Sequence, residues 1–263
     1  MIDIHCHILP GLDDGARDME EALEMCRVAQ ADGIQTIVAT PHCRNEIYRN
    51  HEKTIWPVFE QMQEAVSRAE IPINLLPGAD LHIHPEIISF LKQNPRLLLG
   101  GRYFLLELPA HSIPIYIRDF IFQALLAGFV PIITHPERNT VILRHWKIIQ
   151  DWVKAGALVQ VTAMSLTGAF GSRIKESAFH LVRMGLVHLI ASDAHSSKRR
   201  PPILSRAREI LEGLLGPSQA QAMVKTIPEK ILRGEPVDTT NPTGVPPPKQ
   251  SFLKRLFLRH FNN

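Results

Sequence analysis

Residues 1–15 read MIDIHCHILPGLDDG, a short apolar segment that stops at two histidines one residue apart and runs into a turn-rich loop. On a β-strand residues i and i+2 point the same way, so His5 and His7 reach one point in space from a single strand end. A surface strand with two outward polar residues would show the same spacing, and His-x-His alone does not separate these readings. Its company does. IVATPH ends at His42, FLLEL carries Glu107, PIITH ends at His135, and LIASDAH ends at Asp193 and His195. Imidazoles and carboxylates gathered at the same end of several strands are what a metal site at the C-terminal edge of a parallel sheet requires.

Outward from these segments, strand and helix alternate. Met19, Ala22, Leu23, Cys26 and Ala29 fall at helical spacing, predicting a helix over 17–31 that Gly33 closes. Further strands are expected over 35–40, 73–79, 103–108, 130–134, 158–162 and 187–191. Helices are expected over 51–69, 85–93, 117–127, 143–154, 175–184, 204–215 and 219–232. Seven strand–helix units imply an α/β fold with a parallel sheet, helices outside and right-handed crossovers. A closed barrel gathers its strand ends into one mouth, whereas an open sheet spreads them along a line, so converging ligands favour the barrel.

At 263 residues and 45% hydrophobic content the chain can bury a large core, as one α/β barrel or as two smaller domains. A net charge of +3 with scattered basic residues gives no case for nucleic-acid binding. Three cysteines are too few for a disulfide framework, and neither a signal peptide nor a membrane-length apolar run is evident, so a cytoplasmic location is expected. Residues 234–250 are proline-rich and read as a linker. Beyond it, SFLKRLFLRHFNN at 251–263 is a basic amphipathic tail. Such a tail suits an anionic membrane surface or a partner groove, and equally a helix packed back on the barrel.

Together, DIHCHILPGLDDG, TPH at 40–42, the glutamate of LLELP, HPER at 135–138, SDAH at 192–195 and the RPP that follows resemble the polymerase-and-histidinol-phosphatase (PHP) superfamily. Within it they are most similar to the bacterial manganese-dependent protein-tyrosine phosphatases of capsule and exopolysaccharide loci. The resemblance implies a distorted seven-stranded (β/α) TIM-like barrel over residues 1–233, holding two to three ions of Mn²⁺, or of Fe²⁺, Zn²⁺ or Mg²⁺. It also implies hydrolysis of phosphotyrosine on a cognate tyrosine autokinase, and leaves self-association open. Carried over by motif, His5, His7, Glu107 and Asp193 would hold one ion, and Glu107 would bridge to a second held by His42 and His135. Asp80 and His195 would serve a third. Imidazole with carboxylate suits such ions, and a cluster that activates water needs no protein nucleophile. Arg138 and Arg200 would grip the non-bridging phosphate oxygens, and Asp14 would orient or protonate a group at the mouth. In one departure position 80 is Asp where the family pattern expects Glu, which shortens the reach toward the third ion. His82 and His84 lie just beyond and could compensate, although histidines on such a loop are more often solvated, and His111, His145, His180 and His188 read as structural.

Other chemistries are legible too. HCRNEIYR at 42–49 matches the His-Cys-x5-Arg pattern of cysteine phosphatases, but it lacks a glycine to let backbone amides converge on phosphate, so Cys43 reads as incidental. A small-molecule phosphatase of the histidinol-phosphatase type would share the barrel and metals. A non-catalytic kinase-binding scaffold would use the metals for structure alone.

Overall fold

The computed structural model describes residues 1–45 and 47–239, so most of the proline-rich segment and the whole amphipathic tail lie outside the described residues. Nine strands, all paired in parallel, form its centre: β1 (Ile2–Cys6), β2 (Thr36–Ala39), β3 (His42–Cys43), β4 (Asn74–Pro77), β5 (Asp80–His82), β6 (Tyr103–Glu107), β7 (Val130–Thr134), β8 (Leu158–Thr162) and β9 (Leu189–Ala191). They are ordered β1-β2-β4 in one sheet and β3-β5-β6-β7-β8-β9 in another. The expected strands over 35–40 and 73–79 therefore each jog. β2 gives way to β3 at Pro41, which has no N–H to offer a neighbour. β4 gives way to β5 at Gly78, where a Cβ would lie 2.8 Å from Val38. Backbone bonds span the jogs, with Thr40 N–H donating to the Cys6 carbonyl and Asp80 N–H to that of Pro41. On the far side β1 meets the end of β9 through an isolated parallel bridge between Cys6 and Ala194.

Helices α1 (Met19–Ala31), α2 (Glu52–Arg68), α3 (Ile87–Gln93), α4 (Ile117–Leu126), α5 (Ile142–His145), α6 (Lys147–Ala155), α7 (Ala163–Thr167), α8 (Ser172–Arg183), α9 (Ser205–Leu215), α10 (Pro217–Gln221) and α11 (Ile227–Leu232) connect the strands. The Asp18 carboxylate accepts the Glu21 N–H and so caps α1, satisfying a donor that the first turn would leave free. The expected helix over 143–154 is two, divided at Trp146, whose ring meets His180 of α8 edge-on at 4.5 Å. The last expected helix contains a π-helical turn at Ala222–Thr226 between α10 and α11.

Strand alternation separates two cores. Phe104, Leu106, Ile133, Val159, Val161 and Ile190 pack outward with the helices. Val38, Tyr103, Leu105, Ile132, Leu158, Leu189 and Ala191 form an inner plug that Ile227 and Ile231 of α11 help to fill. Because side chains repeat every two residues, the inner face continues beyond the plug onto Thr40, Glu107, Thr134, Gln160 and Asp193. The plug thus sets the platform on which the polar mouth stands.

Candidate metal centre

At the C-terminal edge of these strands, ligand-type side chains crowd together. Four overlapping groups have nitrogen and oxygen atoms within 4.8 Å of one another: His5, His7 and Asp193; His5, Asp80 and His135; His42, Asp80 and Glu107; and His7, Asp14, His42 and His195. All eight residues expected as ligands are here, with Asp14 beside them. Their grouping differs from the motif-based expectation. Asp80 lies between His5 at 3.6 Å and His42 at 3.4 Å, while Glu107 sits with His42 at 3.5 Å and His135 at 3.8 Å. The short Asp80 is fully buried in the centre of the cluster, and His195 joins His7 and Asp14.

Backbone geometry aims these groups. His135 and Asp193 have φ of 35° and 52°, a left-handed conformation that costs a non-glycine residue about 1–3 kcal/mol. The Asp193 N–H donates to the His5 carbonyl at 2.8 Å and the His135 N–H to that of Gln160 at 2.9 Å, so both strands end abruptly and turn into the mouth. Gly15 brings the opening loop back, since a Cβ there would meet the His7 carbonyl at 2.0 Å.

Two residues that sequence reasoning passed over orient the imidazoles. Asp13 accepts from His7 Nδ1 at 2.7 Å, and also from the backbone N–H groups of Gly15 and His42. Gln160 Oε1 accepts from His5 Nδ1 at 2.9 Å. In the tautomers whose Nδ1 atoms donate to Gln160 and Asp13, the two Nε2 lone pairs, 3.1 Å apart, are free to be shared by a cation. Asp80 Oδ2 and His42 Nδ1, also buried, have no well-formed hydrogen bond and face one another at 3.4 Å. The donor set therefore fits divalent ions of the Mn²⁺, Fe²⁺ or Zn²⁺ type, with the outer carboxylate that metal-binding histidines usually have.

The electrostatics agree. Burial opposes ionisation of Asp80 and Asp193, yet facing histidines hold both carboxyls below the ordinary range, helped at Asp193 by two arginines. Burial lowers the His42 pKa, but Asp80, Glu107 and Asp13 outweigh it and push it up to about 10. Hydrogen bonding to His195 brings Asp14 down to about 2 despite partial burial, so at neutral pH it is a carboxylate and not a proton donor. The Asp193 carboxylate divides its labour. Its Oδ1 faces His5 and His7, while Oδ2 receives Arg138 at 2.5 Å and Arg200 at 2.7 Å.

His82, still part-exposed, stands 3.3 Å from Glu107. Cys43 is buried and its thiol is pushed well above its ordinary pKa, the opposite of an activated nucleophile. Two cavities open at the cluster and share Asp14. One, of about 660 Å³, is bordered by His195, Arg200 and Phe170. The other, of about 770 Å³, is bordered by His42, Tyr48, Glu107 and Arg138.

Among known proteins the chain is 37% identical over 238 residues to the tyrosine-protein phosphatase YwqE of Bacillus subtilis, covering 90% of this chain and 93% of that one. It is 35% identical over 207 residues to the putative tyrosine-protein phosphatase CapC of Staphylococcus aureus, covering 78% and 81%. A solved structure reported among those of YwqE from B. subtilis and CpsB from Streptococcus pneumoniae, described as unique metal-dependent tyrosine phosphatases, superposes with a TM-score of 0.85 at 37% identity. That match covers 90% of this chain and 96% of the other. The profile of the capsular polysaccharide synthesis family CpsB/CapC matches residues 1–233, and the chain belongs to that family.

Proposed function

We propose that this chain is a metal-dependent phosphomonoesterase acting on phosphotyrosine, with a tyrosine autokinase of capsule or exopolysaccharide synthesis and export as its partner. The observation that carries the reading is the buried cluster of imidazoles and carboxylates with Arg138 and Arg200 at its edge. The relatives' names supply the phosphotyrosine. In finer terms, we read the fold as a distorted seven-stranded barrel, counting β2 with β3 and β4 with β5 each as one jogged strand; the Cys6–Ala194 bridge supports this reading. Residues 1–233 are then the catalytic domain and 234–250 a tether. In this reading the basic tail brings a cytoplasmic enzyme to the membrane surface where its kinase works.

Two or three bound divalent ions, Mn²⁺ in the first instance, would supply Lewis acidity toward a phosphoryl oxygen and bring the ionisation of water near neutral pH. The rest falls to the chain. His5, His7 and Asp193 form one set of ligands, and His42, Asp80 and Glu107 a second, with His135 touching both. Asp14 and His195 complete the mouth. Asp13 and Gln160 fix the ring tautomers. Arg138 and Arg200 present planar, paired N–H groups to the non-bridging phosphate oxygens.

The test is hydrolysis of p-nitrophenyl phosphate and of a phosphotyrosine peptide before chelation, after it, and after Mn²⁺ is restored. Loss and recovery are expected, with Cys43→Ser retaining activity. Activity that survives chelator and vanishes in Cys43→Ser would overturn the reading. A strong preference for histidinol phosphate would move it to small-molecule chemistry.

A further inference from the structure

Phe170 has no place in the account above, yet it lies against both arginines. It sits in the turn between α7 and α8, between Gly168 and Gly171 with φ of 88° and 91°. Backbone bonds fix this turn, with the Gly171 N–H donating to the Gly168 carbonyl and the Ala169 N–H to that of Met164. The Arg138 and Arg200 guanidinium carbons stand 5.1 and 5.8 Å from the centre of the Phe170 ring. Both guanidiniums also hold the same oxygen of Asp193, so they lie to one side of the ring. The rest of the half-buried ring borders the 660 Å³ cavity, with Met164, Ala169, Asp14 and His195.

We infer that Phe170 is the wall against which the phenyl ring of an aryl phosphate lies, making it the residue that sets preference for phosphotyrosine over phosphoserine. The inference rests on the phosphatase reading and adds a specificity determinant to it. His5 and His7 are fully buried and Asp193 nearly so, which places the reacting centre at the bottom of a recess. A phosphoryl group gripped by the arginines there has its ester oxygen facing the cavity, and a tyrosine side chain is long enough to bridge from the recess to a peptide outside. The first atoms beyond that oxygen are the phenyl ring, which enters the cavity that Phe170 borders. Offset or edge-to-face contact between two such rings favours aryl over alkyl ligands by roughly three- to tenfold. A phosphoserine ester has no ring to make the contact.

The experiment compares phenylphosphonate with methylphosphonate, which share the phosphoryl end and cannot be hydrolysed. Binding to the Mn²⁺-loaded full chain is measured by calorimetry, alongside kcat/KM for phenyl phosphate and glycerol phosphate. Phe170→Ala should weaken phenylphosphonate about three- to tenfold more than methylphosphonate, and shift the kcat/KM ratio by the same factor. Phe170→Tyr should restore the preference. If Phe170 serves only to support the arginines, both phosphonates weaken equally and the inference is overturned. It is also overturned if the selective loss follows Tyr48→Ala, the aromatic ring of the other cavity, and not Phe170→Ala. Failure of the phosphatase reading looks different: no ester is hydrolysed by the wild-type chain with Mn²⁺, whatever the phosphonates do.

Discussion

The inner faces of the strands hold two regions of opposite character within a few residues of each other. At the lower level Leu105, Ile132, Leu158 and Leu189 are buried among one another, and each such side chain stabilises the fold by about 1.5–3 kcal/mol. One or two steps of the pleat higher, Glu107, Thr134, Gln160 and Asp193 occupy the same face, where burial works against every charge present. The plug is held by contacts that any apolar residue of similar size could make. The mouth is made of particular donor and acceptor atoms, which only residues of the same type can supply. Changes in the plug should therefore act on folding, and changes in the mouth on metal content and turnover.

The sharpest separation is expected from His5→Ala. It deletes a nitrogen shared by two ligand groups, and should cut hydrolysis of p-nitrophenyl phosphate by at least about a thousandfold and lower bound metal, with little change in unfolding midpoint after chelation. If metal content holds and the chelated protein unfolds early, mouth and plug are not separable. Leu105→Ala makes the opposite cut. Removing this fully buried side chain should destabilise the chain by about 2–5 kcal/mol in denaturant titration, while metal bound per folded molecule stays at the wild-type value. A loss of metal stoichiometry would show that the platform directly shapes the site.

Asp13→Asn sharpens the comparison within the mouth. It keeps the size and the turn but replaces the charged acceptor at His7 Nδ1, and should weaken metal binding by about 10–100-fold in a competition with a chelating dye. An unchanged affinity would assign Asp13 to the turn alone.

A buried histidine away from the cluster separates the two regions by pH. His188 Nδ1 accepts the Val159 N–H at 3.1 Å, and burial holds its pKa down at about 4, against the opposing pull of the Thr239 carbonyl and Asp238. Above the unfolded value of about 6.5 neither state carries the proton. As pH falls from there toward 4, the unfolded chain gains a proton that the folded chain refuses, so stability falls across that window and levels off below it. The difference amounts to about 3 kcal/mol at most. The stability gap between wild type and His188→Asn should therefore shrink between pH 7.5 and 4.5, and parallel curves would remove His188 as a source of the pH dependence.

The reach of the sequence follows the same division. Strand ends are legible because imidazoles and carboxylates interrupt apolar runs, and the helix at 17–31 because Met19, Ala22, Leu23, Cys26 and Ala29 fall at helical spacing, although the buried stripe takes Met25 in place of Met19 and Leu23. Asp13 was not separable from Asp14, since both suit a turn before glycine and only three-dimensional packing puts one beneath His7 and the other at the mouth. Gln160 leaves a signal as a lone polar residue in LVQVT, but nothing in the sequence tells that its amide faces His5. The expected strand over 73–79 runs straight through Gly78, where pairing shifts without a break in burial, and the one over 35–40 stops short of Pro41 and so misses the short strand beyond it. Helix α7, at five residues, is shorter than a pattern of period 3.6 can reveal.

The shared oxygen of Asp193 has a consequence for which anions enter. Arg138 and Arg200 share one internal carboxylate, which offsets part of their combined charge, so a small free anion meets guanidiniums already partly compensated and has to exchange with a group in place. Exchange favours a visitor that brings contacts of its own or a higher charge, and disfavours chloride, acetate and other singly charged ions at ordinary concentrations. Asp193 therefore serves as a resident competitor, setting a threshold that dilute background ions do not cross and that a tethered phosphoryl group does.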